Sequence, residues 1–196
     1  VVVLGHYGGL TFLDSETQTL PLPHDAASAR IMDMALDADG TLWLACASAH
    51  VKSWNPEDGF RSYGPEHGLG EASFALVIDR SGQILVGGHG GLFRWNGDRF
   101  ESIRLKESGS KPKIFVRRIL QASDGSVYAA TGRQGVFRIQ DDEVEQFYAE
   151  AGGAPNNSYT LLERPDGEIW VGTVAGLYVP VDGTLRPVLA PDIDRP

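Results

Sequence analysis

The run Asp166-Gly167-Glu168-Ile169-Trp170-Val171-Gly172-Thr173 joins a tight-turn dipeptide to an apolar triplet and a small residue, and Gly176-Leu177-Tyr178 follows after a short loop. The same frame recurs three times upstream. Asp39-Gly40 precedes Leu42-Trp43-Leu44-Ala45, Ser81-Gly82 precedes Ile84-Leu85-Val86-Gly87, and Asp124-Gly125 precedes Val127-Tyr128-Ala129-Ala130. The turn residues Gly40, Gly82, Gly125 and Gly167 stand 42, 43 and 42 positions apart. The first residues fit the same frame as Val2-Val3-Leu4-Gly5, then Gly9-Leu10. A fixed period of this length marks a repeat architecture.

Each unit breaks into four short runs separated by turn residues. In the unit around Gly82 they are strand A (Phe74 to Asp79), strand B (Gln83 to Gly87), strand C (Gly91 to Trp95) and strand D (Arg99 to Ile103). Asn96-Gly97-Asp98 between C and D is a hairpin signal. Four short antiparallel strands at a period of ~40–45 residues are the signature of a β-propeller blade. The fold predicted is all-β: a propeller segment of four complete four-stranded blades plus a three-stranded partial first blade. The repeats fall at about 1–22 (partial), 30–63, 73–103, 115–147 and 158–188, in a single segment over 1–196. In that frame Val3, Trp43, Leu85, Tyr128 and Trp170 form one large-residue column between blades. Gly5, Ala45, Gly87, Ala130 and Gly172 form a small-residue column that lets blades approach. Cys46 follows the small column and reads as a half-buried, inert residue.

On these motifs the chain resembles the two-component regulator propeller repeat, whose pattern is an Asp-Gly turn, an apolar-Trp-apolar-Gly-Thr strand, then Gly-Leu and an aromatic. Residues 166–178 carry it most fully. Phe60-Arg61-Ser62-Tyr63 with His67-Gly68-Leu69 is similar to the family's strand D and its connector, while Ala45-Cys46 and Ala129-Ala130 depart from the pattern. The resemblance implies the extracytoplasmic, periplasmic sensor region of a bacterial membrane-anchored regulator, with a histidine kinase or diguanylate cyclase output elsewhere in the gene. Streptogramin-lyase-like propellers share similar short motifs.

Composition narrows the classes further. Glycine supplies 24 of 196 residues, well above the usual ~7 %, and the repeat accounts for the surplus. A net charge of −9 argues against nucleic-acid binding, which needs a basic footprint. One cysteine excludes an internal disulfide and any multi-cysteine metal site. No apolar run approaches the ~20 residues of a membrane span, so any membrane attachment is expected through segments outside this chain. Val1-Val2-Val3-Leu4 reads as a strand already under way, and residues 191–196 read as a poor strand. The expectation is therefore a fragment of a larger ring, or an open crescent whose edges are protected by association, with a homodimer partner among the candidates.

Strand direction sorts the loops onto two ends. The A–B and C–D turns are acidic, as in Asp37-Ala38-Asp39-Gly40, which resembles the opening of a calcium loop without its downstream Glu. Aspartate also favours tight turns for its own backbone bonds, and neither metal nor cofactor is expected. The B–C loops and D–A connectors hold every histidine: His6, His50 and His89 in the former, His24 and His67 in the latter. Arg133 takes the equivalent B–C position in the third complete blade, Tyr7 adjoins His6, and Lys106, Lys111 and Lys113 lie in a connector. Polar groups converging on a concavity are the default ligand site, so His6, Tyr7, His50, His89 and Arg133 are candidate ligand contacts. Asp33 and Arg118 join them, from a strand-A column seven residues before the turn glycine. They either line the channel or pair structurally. Gly88-His89-Gly90-Gly91 lacks an accompanying nucleophile elbow, and no phosphate-cradling motif occurs. The function expected is non-catalytic sensing of a small molecule or oligosaccharide. The alternatives are a lyase-like enzyme using a loop-face histidine with a divalent cation, and a protein-interaction platform.

Overall fold

A computed structural model describes residues 2–14, 16–26, 29–70, 72–105, 114–149 and 153–189. The chain divides into two compact units, Val1–Ile103 and Arg104–Pro196. Unit 1 holds three antiparallel sheets. The first is β1 (Val2–His6), β2 (Gly9–Leu13) and β3 (Gln18–Pro21). The second is β4 (Ile31–Leu36), β5 (Leu42–Cys46), β6 (His50–Asn55) and β7 (Gly59–Tyr63). The third is β8 (Ser73–Ile78), β9 (Ile84–Gly88), β10 (Gly91–Trp95) and β11 (Phe100–Ile103). Unit 2 holds two more: β12 (Val116–Gln121), β13 (Val127–Thr131), β14 (Val136–Gln140) and β15 (Glu143–Phe147), then β16 (Ser158–Glu163), β17 (Ile169–Thr173), β18 (Gly176–Val181) and β19 (Thr184–Pro187). Every sheet runs in chain order, so these are β-propeller blades, four with four strands and the first with three. Residues 106–113, with Lys106, Lys111 and Lys113, and the tail 191–196 lie outside the described residues. No helix among the described residues is long and apolar enough to cross a membrane.

Side chains alternate across a strand, and strand B uses both of its faces. In β5, Leu42, Leu44 and Cys46 join a core with Leu10, Leu22 and Ile31 of the first sheet and its neighbour. Trp43 and Ala45 point the other way, into a core with Leu76, Ile84, Val86 and Phe100 of the third sheet. All five residues of β5 are therefore buried. In unit 2 Tyr128 and Ala130 of β13 meet Leu161, Ile169 and Val171 in a third core. A run that is apolar at every position is what a strand between two layers requires.

The columns behave according to their surroundings. Trp43, Leu85 and Tyr128 are buried, whereas Trp170 is half-buried beneath the Arg164 guanidinium, 4.8 Å from its ring, and donates to Glu168 Oε2 at 2.6 Å. A methyl group on Gly5 would come within 2.8 Å of Ile31 and 2.9 Å of the Met34 sulfur, which is the close approach expected of the small column. Cys46 is fully buried rather than half-buried, because its parity in β5 turns it toward the first sheet. That burial pushes its thiol up to about 11 against the small lowering effect of nearby Lys52.

Candidate functional site

All four complete blades share an irregularity that their sequences do not announce. Strand A slips by one residue against strand B, between Ile31 and Asp33, Ser73 and Ala75, Val116 and Arg118, and Ser158 and Thr160. The unpaired residues are Met32, Phe74, Arg117 and Tyr159, each eight positions before its turn glycine. A β-bulge bends the strand and re-aims a side chain. Here it lies at the start of strand A, at the end where the B–C loops and D–A connectors gather. Tyr159 is 53 % exposed and Met32 38 %. None of the four was among the expected site residues. Their spacing was legible, but Met, Phe, Arg and Tyr share no chemistry that would mark a column.

In unit 1 the expected residues fall into separate local contacts. His6 Nδ1 lies 2.9 Å from the Tyr7 carbonyl, so that nitrogen carries the proton, and Nε2 meets Thr11 Oγ1 at 3.1 Å. Thr11 continues to Thr19 at 3.2 Å, so His6 begins a hydrogen-bond chain across the first sheet. Tyr7, 63 % exposed, accepts a short hydrogen bond from Arg30, whose guanidinium sits 4.8 Å over its ring. His50 is held in the left-handed region at φ 55 where β5 turns into β6. His89 is exposed and meets the bulged Phe74 edge-on at 5.3 Å. Asp33 accepts from the Leu76 backbone N–H at 3.1 Å and from its own neighbour Met34 at 3.1 Å. Its carboxylate thus ties β4 to β8. His67, in a connector, packs against Tyr63 and Trp95 and bonds Glu66 at 2.9 Å.

In unit 2 the bulge residues come together. Arg117 stacks its guanidinium 4.1 Å over the Tyr159 ring and 5.1 Å from the Phe115 ring, and Nη1 donates to Asn157 Oδ1 at 2.6 Å. The connector that presents Asn157 is fixed from below. Fully buried Asn156 accepts from Ala149 N at 2.7 Å and donates to Ala149 O at 3.0 Å. The Asn157 carbonyl takes the Val174 N–H at 3.1 Å. Gly132 leaves room for the arginine: a methyl there would stand 3.2 Å from Phe115 and 3.5 Å from the guanidinium. The expected Arg133 is the next residue and is exposed; the expected Arg118 is exposed on β12 beside the bulge. Ser158, between Asn157 and Tyr159, is fully buried and its hydroxyl has no hydrogen-bond partner among the described residues.

The acidic turns at the opposite end are occupied by their own backbone. Asp37 Oδ1 accepts from the N–H groups of Asp39 (3.0 Å) and Thr41 (2.8 Å), and Oδ2 from the Trp43 indole (2.9 Å). Asp79 and Asp124 repeat the arrangement toward Ser81 with Gln83, and toward Ser126. Among the described residues no three His, Cys, Asp or Glu side chains gather as a metal group.

Residues 152–175 match the family model described as two component regulator propeller, so this chain carries that repeat where its motif is fullest. No curated protein matches the sequence significantly. Among solved structures, the extracellular domain of a protein described as a hybrid two component system of B. thetaiotaomicron is 22 % identical with a TM-score of 0.74, covering 95 % of this chain and 26 % of its own. A second such domain from that organism is 16 % identical with a TM-score of 0.70, covering 90 % and 25 %. Virginiamycin B lyase from Staphylococcus aureus is 15 % identical with a TM-score of 0.69, covering 94 % and 64 %. The chain thus spans less than two thirds of the lyase and about a quarter of those extracellular domains. At these identities the likeness establishes the propeller fold.

Proposed function

We propose that this chain is part of the extracytoplasmic sensing region of a bacterial two-component or cyclic-dinucleotide signalling protein, binding a small molecule or oligosaccharide without transforming it. The observation that carries the reading is the repeated bulge. Within each unit, neighbouring blades carry chemically different side chains at the slipped position, at the loop end where a rigid scaffold commonly carries recognition. The match to the regulator repeat and the likeness to two extracellular domains of such systems support the same reading. The rest of its own propeller, and a second copy, are its proposed partners, with the membrane reached through other segments.

Signalling then requires that ligand bind one arrangement of blades or subunits better than another, because equal affinity shifts no population. A lyase-like use of His6 or His67 is less favoured by the geometry. His6 is committed to Tyr7 and Thr11, and His67 to an aromatic core and Glu66. The test is deletion of residues 1–196 from the full-length protein in cells. Kinase or cyclase output should stop responding to a change of carbohydrate supply; induction that survives the deletion overturns the reading.

A further inference from the structure

We infer that the bulge cluster of unit 2 is a subsite for an acidic sugar, its carboxylate against Arg117 and its ring against Tyr159. The chain has 26 acidic and 17 basic side chains, so an arginine would find a carboxylate easily. Arg138 and Arg164 do, pairing with Asp124 and with Asp166 and Glu168. Arg117 and Arg133 pair with no carboxylate among the described residues. Arg117 is instead held by two rings and one neutral amide oxygen. These contacts fix the plane of the guanidinium while, among the described residues, no carboxylate meets its charge and only one of its five donors is engaged in a hydrogen bond.

A planar, fixed fork is suited to a carboxylate taken by two parallel hydrogen bonds. Side-chain freedom already lost before binding does not have to be lost on binding. Tyr159 adds an aromatic surface more than half exposed beside that fork, an apolar face with a polar tip. A sugar ring, which can lay a face of C–H bonds on an aromatic ring while bearing a carboxylate, satisfies both. Arg133, next in the chain to Gly132, contributes a second positive charge at the same loop end. A neutral sugar would leave the guanidinium unmatched, and a bare anion would make no use of the tyrosine.

This inference deepens the sensing reading and rests on it for its purpose, but the binding is read on the 196-residue chain directly. With arginine side chains labelled for NMR, D-glucuronate, D-glucose and inorganic sulfate are titrated in turn, following the Arg117 Nε–H resonance. Glucuronate should move it saturably, with glucose inert and sulfate at least tenfold weaker. Arg117→Lys, which keeps the charge and loses the fork, should weaken glucuronate at least tenfold. Tyr159→Ser, at an exposed position, should weaken glucuronate severalfold and weaken sulfate by a smaller factor, because it removes one of the two rings that hold Arg117. Equal response to sulfate means a plain anion site only and overturns the assignment. So does silence toward glucuronate, or glucose binding that Arg117→Lys does not alter; that last result would leave ligand sensing standing, whereas an induction that survives deletion of 1–196 would remove sensing and not the subsite.

Discussion

Lys52 Nζ and Asp25 Oδ2 meet at 2.5 Å, with the lysine side chain 3 % exposed and the aspartate 57 % exposed. The lysine lies on β6 and the aspartate in the connector from the first sheet, so the pair ties two blades of unit 1. Lys52 also donates to Ser62 Oγ at 2.7 Å. Removing one partner of such a pair leaves a buried charge without compensation. Asp25→Asn should therefore cost about 1–3 kcal/mol, the lower part of the buried-pair range because water reaches the carboxylate. Urea denaturation measures it. Lys52→Met should cost less than Asp25→Asn, since it removes the charge as well as the contact.

The same pair sets an acid dependence. The Lys52 hydrogen bond lowers the Asp25 pKa in the folded chain. The native state then holds that proton less well than the unfolded chain does. Its contribution is complete above the ordinary carboxylate value and is lost as pH falls through the lowered one. The stability gap between the wild-type protein and Asp25→Asn should be constant from pH 7 to about 5 and shrink below about 4. A gap that widens in acid would contradict this. Asp124, lowered by its Ser126 hydrogen bond and then by Arg138, adds a second contribution of the same sign.

Cys46 should be inert in the folded protein. It is fully buried with its thiol pushed up to about 11, so almost no thiolate exists at pH 8 and no reagent reaches it. Labelling with a thiol-reactive disulfide should follow unfolding, accelerating with urea in step with loss of structure. Complete labelling within minutes in buffer would show that the first two sheets separate readily.

Ser158 offers a substitution that should do no harm. A buried hydroxyl without a partner costs roughly 1–3 kcal/mol of desolvation. Ser158→Ala should leave the melting temperature unchanged or raise it. A fall equivalent to more than about 1 kcal/mol would reveal a partner for the hydroxyl.

Gly135 has two reasons to be glycine and Gly167 has one. Both sit at positive φ, 72° and 87°, but a methyl on Gly135 would stand 2.1 Å from the Phe147 carbonyl oxygen, while Gly167 has nothing within 4 Å. Gly167→Ala should cost about 1–2 kcal/mol from backbone conformation alone. Gly135→Ala should cost clearly more, because backbone must move. Equal losses in thermal melts would mean that β14 and β15 yield easily there.

Why the blades were legible and their working ends were not follows from where each signal resides. Asp39-Gly40 or Asp166-Gly167 writes a turn into two residue types, and Leu42-Trp43-Leu44 writes burial on both faces into an unbroken apolar run. The strand limits follow within a residue or so. The bulge is a property of pairing, with Ile31 opposite Cys46 and Asp33 opposite Ala45, and no residue type at position 32 encodes it. Proximity of Arg117 to Tyr159 depends on that slip occurring in two adjacent blades. Likewise Asp33 was legible as a charge on strand A, but its acceptor role toward Leu76 N–H needs the next blade in place.

The bulge also separates two kinds of inheritance. Residues paired in the ladder must satisfy the sheet, so a change at Ala45 or Gly172 is tested at once by neighbouring atoms. The slipped residue is excused from that test, which is why methionine, phenylalanine, arginine and tyrosine are all tolerated there. Duplicated blades can therefore diverge at one address each while the pairing of the ladder around it stays the same.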